Sequence, residues 1–296
     1  MLNRRAFLSY GLLFLGGCTA AQTTSSVSTS VSQGNRPNWL RFAVTDISGA
    51  DELEQDFGPF RQALETVLDL PIEFFPVENF VDAVPALLAN ELDFAMAGPS
   101  EYLLLKARAN AVPIAGVTRS DYYSVFVTLA DSGIETLTDL KEKKIAMWAE
   151  GATAGHIVPT KMLLDAGLKP DAYEGIMLGA DGVDAMLSGQ VDAWVTSHTR
   201  YQKILTQRGL KDDVKIVAEG EHLPPDIFVA NPNLGEFFLA ELKSKLIANQ
   251  DILIPALYES GANQKFKESD LIEVEDSDYQ MLRDSYYAIG QGSAIE

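Results

Sequence analysis

Three places in this sequence set polar side chains just after a short apolar run, where chemistry could be done. Thr45 and Asp46 follow Leu40-Arg41-Phe42-Ala43-Val44, and Ser197 and His198 follow Val191-Asp192-Ala193-Trp194-Val195. The small-residue loop Glu150-Gly151-Ala152-Thr153-Ala154-Gly155-His156 separates the run Ile145–Ala149 from a helical segment beginning at Ile157. Strand C-termini are where α/β folds place ligands. Asp46, His156 and His198 would make an acid–base set if the fold brought them together. No nucleophile elbow, P-loop or zinc helix motif accompanies them, so the chemistry expected is binding and the chain is not expected to be an enzyme. One cysteine excludes an internal disulfide and a zinc cage of several thiolates, and three histidines leave little for a histidine-rich site. No metal and no cofactor are expected.

The elements that must position these residues follow from periodicity. After Leu40–Val44 comes helical spacing at Phe57, Phe60, Leu64, Val67 and Leu68, then a strand at Ile72–Val77 and a helix over Phe80–Asn90. A buried strand at Leu92–Ala97 and a helix at Tyr102–Ala109 complete a β-α-β-α pattern, which predicts a mainly parallel sheet with covering helices. A second unit of the same kind runs from Leu137 to Ala218, and helices follow over 234–248, 251–259 and 277–289. The chain is expected to cross between the units near Tyr123–Thr128 and again near Pro225–Asn231. This makes two α/β domains joined by a two-stranded hinge: lobe 1 from 39–122 plus 229–296, lobe 2 from 123–228. Tyr123 opens the first crossing, and His222 beside Pro224-Pro225 reads as hinge structure. Trp148 and Trp194 sit in strands leading to cleft loops and read as core, although either could wall an apolar ligand. With 296 residues, 47% of them hydrophobic and 22% charged, the chain is long enough for such a pair of lobes and is not of disordered composition.

The first segment reads as an address. Arg4 and Arg5 precede an apolar stretch too short to span a bilayer, and Leu15-Gly16-Gly17-Cys18 resembles a bacterial lipobox. Residues 1–17 are therefore expected to be a lipoprotein signal peptide, with Cys18 acylated, and 18–38 a flexible tether rich in Ser, Thr and Gln. Arg4-Arg5-Ala6-Phe7-Leu8 also resembles a twin-arginine export signal. Forty-two acidic against 23 basic residues, a net charge of −19, argue against nucleic acid as a partner. The same balance argues against electrostatic docking on anionic lipid.

Further stretches carry a resemblance. They are Leu92-Asp93-Phe94-Ala95-Met96-Ala97-Gly98-Pro99-Ser100-Glu101-Tyr102, Tyr122–Thr128 with Leu137-Thr138-Asp139-Leu140, Ala152-Thr153-Ala154-Gly155-His156 with Pro159, Leu187–Ala193, His222–Ile227 and Tyr279–Arg283. In order and spacing they resemble the substrate-binding proteins of phosphonate, phosphite and phosphate ABC transporters, over roughly residues 40–290. The resemblance implies a two-lobed, class II periplasmic-binding-protein fold and an oxyanion held in the cleft. Part of that work would fall to the loop at the helix entry, residues Thr153, Ala154 and Gly155, where outward N–H groups and the helix dipole favour an anion. It also implies a cleft aromatic at Tyr102. The chain departs from the pattern at Ala152 and Ala154, where serines are usual, at Gly179 and Ala180, where a His-Asp pair is usual, and at His198, where an acid is usual.

Together these readings predict a lipid-anchored, single-copy binding protein of the periplasm or cell surface. It would serve an ABC importer and hand a small oxyanion to a membrane permease. A sulfonate or vitamin-precursor binder, or a ligand-sensing module for a membrane partner, are the alternatives. The residues expected at the ligand are Tyr102, Thr153, Ala154, Gly155, His156, Ser197, His198, Tyr123, Thr45 and Asp46.

Overall fold

The computed structural model describes residues 36–45, 49–77 and 82–296. In chain order the elements are β1 (Leu40–Val44), α1 (Ala50–Leu68), β2 (Ile72–Phe74), α2 (Ala83–Leu88), β3 (Phe94–Ala97), α3 (Pro99–Ala109), β4 (Val112–Val117), β5 (Ser124–Leu129), β6 (Lys144–Met147), α4 (Val158–Asp165), β7 (Glu174–Met177), α5 (Gly182–Leu187), β8 (Ala193–Ser197), α6 (His198–Arg208), β9 (Val214–Glu219), β10 (Asp226–Ala230), α7 (Glu236–Ala248), α8 (Gln250–Tyr258), β11 (Leu271–Ile272) and α9 (Gln280–Ala288). Cys18 and Asp46 lie outside the described residues, as do the leader and residues 18–35 of the expected tether. Among the described residues no helix is long and apolar enough to cross a membrane.

The strands form two sheets, ordered β11-β4-β10-β3-β1-β2 and β7-β6-β8-β5-β9. The pairs β1/β2, β1/β3, β6/β7 and β6/β8 are parallel, as the alternation of strand and helix requires. Both sheets are nonetheless mixed. β10 inserts antiparallel between β3 and β4, and β5 antiparallel between β8 and β9. The reason is geometric. A strand that has just crossed enters its sheet from the end where the parallel strands finish, so it must run the other way. β5 and β10 each lie wholly in one sheet, and the passage is made by the short links 118–123 and 220–225. These links are joined: the Leu223 N–H donates to the Tyr122 carbonyl and the Gly220 N–H to the Ser124 carbonyl, both at 2.8 Å.

Helix α1 begins seven residues before the expected Phe57. Its buried face, Leu53, Phe57, Phe60, Leu64 and Leu68, keeps helical spacing straight through Pro59. On that side of the first sheet Phe42, Phe60, Phe94 and Phe228 pack ring to ring, with Phe94 and Phe228 stacked at 5.3 Å. The opposite side is closed by α3 and α9, and Ala154, Ile157 and Val158 pack into the same apolar cluster. The second sheet alternates as a sheet covered on both faces must. Val125 and Val127 go to one cluster with Trp194, and Phe126 to the other with Ile145 and Val195.

Candidate functional site

Four parallel strands end on one cleft. Thr45 follows β1, Gly98 follows β3, Trp148 follows β6 and Ser197 closes β8, and all four line a cavity of about 320 Å³. This is the strand-end crevice where open α/β sheets bind ligands.

The loop 150–156 is wound more tightly than its small residues foretold. Thr153–Ile157 forms a π turn that runs directly into α4. Its cause is local. Pro159 has no N–H to offer the Gly155 carbonyl one turn back, so that carbonyl is open to another donor. The Trp148 N–H takes it, at 3.0 Å. Only glycine fits there, since a Cβ on residue 155 would lie 2.3 Å from the Trp148 Cβ. The Trp148 carbonyl accepts from the Gly179 N–H at 2.9 Å, so the backbone of Trp148 is held from both sides. His156 is buried behind the loop, where its Nδ1 accepts the Gly151 N–H at 3.0 Å. Burial holds its pKa below the ordinary 6.5, with Glu150 opposing.

Thr153 lines the cleft, and its hydroxyl accepts the Ser100 N–H from the first turn of α3 at 3.0 Å. It therefore joins the two halves of the molecule. The buried Tyr122 lines the same cleft. Burial pushes that phenol well up, so it stays protonated. The Thr45 hydroxyl donates to the Glu101 carboxylate, which also accepts the Gly98 N–H at 2.8 Å. Glu101 thus caps α3.

Three cations reach the cleft: Arg119, Arg200 and Lys265. Arg119 lies in the first link, with its Nη1 3.4 Å from both oxygens of Asp226, which opens β10. Its Nη2 donates to the Thr199 hydroxyl of α6 at 3.2 Å, and its guanidinium sits 3.6 Å over the Tyr122 ring. Arg200 sits 3.6 Å over the Trp148 ring. Among the described residues that line the cleft, these three stand with the carboxylates of Glu101 and Asp226. Val44, Phe57, Met96 and Phe266 supply an apolar wall.

Of the residues expected at the ligand, Thr45, Thr153, Ala154, Gly155 and Ser197 line this cleft together. Four others lie elsewhere. Tyr102 is fully buried, donates to Asp276 at 2.6 Å and packs on Tyr279 at 4.7 Å. His198 turns away to stack on Tyr123 at 4.6 Å, with its Nε2 3.1 Å from the Gln202 amide. Tyr123 also meets the edge of His222 in the second link. His156 holds the loop from behind. Trp194 is core, whereas Trp148 is a cleft wall. Reading the sequence missed Arg119, Asp226, Arg200, Lys265 and Glu101. Arg119 and Asp226 flank the two links, Arg200 lies one turn into the helix capped by Ser197, and no spacing pointed to Lys265.

The family model described as "ABC transporter, phosphonate, periplasmic substrate-binding protein" matches residues 42–279. The chain belongs to that family. It is therefore a substrate-binding protein of an ABC importer, and the family is one of transport binding proteins, not a class of enzymes. It is 24% identical over 277 residues to the phosphate-import protein PhnD of Mycolicibacterium smegmatis, covering 83% of this chain and 84% of that one. It is 25% identical over 236 residues to the probable phosphite binding protein PhnD1 of Prochlorococcus marinus, covering 74% and 79%. The solved structure of PhnD1 in complex with methylphosphonate superposes with a TM-score of 0.71 at 21% identity, covering 86% of this chain and 99% of that chain. The fold is accordingly the two-lobed class II periplasmic-binding-protein fold, and such proteins work with a membrane permease.

Proposed function

We propose that this protein captures a small phosphorus oxyanion, a phosphonate, phosphite or phosphate, in the cleft where its strands end, and presents it to the permease. The observation that carries the reading is the meeting of Arg119, Arg200 and Lys265 on a cavity of about 320 Å³ in a chain of net charge −19. Fixed donors at contact distance outweigh the repulsion of distant surface carboxylates, because the Debye length is about 8 Å at physiological salt. Thr153, Gly155, Ser197 and Thr45 shape the cleft, and the paired links 118–123 and 220–225 serve as the hinge about which the lobes close. The domains are lobe 1, built on the first sheet, and lobe 2, built on the second. The working unit in this reading is a single copy, whose own residues line both walls of the cleft.

Cys18 anchors the protein to the membrane through lipid after export, with residues 1–17 as the signal peptide and Arg4-Arg5-Ala6-Phe7-Leu8 directing it to the twin-arginine route. Changing Cys18 to Ala should move the protein from the membrane fraction to the soluble one; an unmoved membrane fraction would remove the anchor from the account.

A second reading has its own support. Ala152 and Ala154 bring no hydroxyl, and the apolar wall with Trp148 could hold the organic part of a sulfonate. Calorimetric titration separates the two. The phosphorus reading expects saturable heat with at least one of phosphate, phosphite and methylphosphonate. Heat with an alkanesulfonate and with none of these three would replace it.

A further inference from the structure

Arg200 is the cleft cation that lies on an aromatic face of the strand-end wall. Its guanidinium carbon lies 3.6 Å from the centre of the Trp148 ring. At that separation only a near-parallel arrangement fits, and a guanidinium lying flat on an indole keeps its N–H groups at its edges, in its own plane. The platform is rigid. Trp148 is bonded through its N–H to Gly155 and through its carbonyl to Gly179, and Gly155 leaves no space behind its Cβ. Arg200 itself is fixed at the backbone, where its N–H donates to the Ser197 hydroxyl at 3.4 Å.

The rest of this wall has little to donate. Ala152 and Ala154 have no polar side chain, and the Thr153 hydroxyl already accepts the Ser100 N–H. We propose that Arg200, held flat on Trp148, is the oxyanion fork of the cleft: it donates paired, in-plane N–H bonds to two oxygens of the ligand and so sets the orientation in which the anion is held. This rests on the reading of the cleft as an anion site. A planar fork matches two oxygens of one anionic group in a way that a point charge does not. Lysine at the same place would keep the charge and lose both the fork and the stack.

The test is calorimetric titration of the full chain and its variants Arg200→Lys, Trp148→Phe and Trp148→Leu with phosphate, phosphite, methylphosphonate and methanesulfonate. Arg200→Lys should weaken binding by about tenfold to a hundredfold, the equivalent of a charge-assisted hydrogen bond or two. Trp148→Phe keeps an aromatic platform and should stay within about threefold of the parent, while Trp148→Leu should fall with Arg200→Lys. An unchanged melting temperature of unliganded Arg200→Lys would separate loss of the fork from loss of the fold. If the parent binds a phosphorus oxyanion and Arg200→Lys binds it equally well, the fork is wrong and the proposed function stands. If only methanesulfonate binds, and binds through Arg200, the phosphorus ligand is wrong and the fork stands. A parent that binds none of the four anions overturns both.

Discussion

Asp226 and Arg119 face each other with side-chain exposures of only 7% and 8%. A buried pair contributes little net stability over an apolar alternative, yet removing one partner strands the other charge. Asp226→Asn should therefore cost about 3 kcal/mol, read as a lower urea midpoint, because it takes a carboxylate away from the buried Arg119 guanidinium. A midpoint unchanged from the parent would show that the pair is not what holds the first link to β10. His156 makes a prediction in pH. Burial depresses its pKa in the folded chain below the ordinary 6.5. The unfolded chain then binds the more protons just below that value, so stability is full above pH 6.5 and declines as pH falls beneath it. His156→Gln should flatten that part of the acid slope in stability measured by denaturant unfolding. An identical slope would assign the acid loss to the carboxylates instead. These side chains also show how far the sequence could be read at this scale. Residue type and the strand-end position pointed to Thr45, Thr153, Gly155 and Ser197, since both are local facts. Arg119, Asp226 and Lys265 were hidden because their meeting depends on the links and the final third of the chain, which periodicity does not locate in space. His198 sits where a strand-end ligand group belongs, but the Tyr123 ring offered it a better neighbour.

At the scale of elements, the π turn Thr153–Ile157 joins sequence to site most closely. Pro159 withholds a donor, Gly155 withholds a side chain, and the result is a tryptophan locked at the end of β6 with its face to the cleft. Gly155→Ala should force the Trp148 Cβ or the turn to move and cost about 1–3 kcal/mol in unfolding free energy, with a fall in ligand affinity alongside. A variant as stable as its parent would mean that the turn has slack the packing does not show. Most strands and helices were legible to within a few residues because their apolar spacing is strong. The two sheets were legible as a tandem for the same reason. The antiparallel insertion of β5 and β10 was not, because a strand's direction is fixed by where the previous element leaves the chain and not by its own residues. The start of α1 was misplaced because its first turns, residues 50–56, bury a single apolar residue, Leu53, too few to show a period.

For the whole molecule, the two halves meet through the apolar packing of Ala154, Ile157 and Val158 beside α3 and α9, and through polar contacts around one cleft. The links are bonded to each other, Arg119 reaches from Asp226 to Thr199, and Ser100 meets Thr153. Each of these contacts lies at the cleft or its hinge, so a ligand that adds bonds to both walls favours the state in which all of them are made. Anion capture and lobe closure are then one event. The measurement that tests this most directly is small-angle X-ray scattering of the protein with and without methylphosphonate at a concentration that calorimetry shows to be saturating. The account predicts a smaller radius of gyration in the bound sample. Superimposable curves at proven saturation would contradict it, because the oxyanion would then be held without closing the cleft.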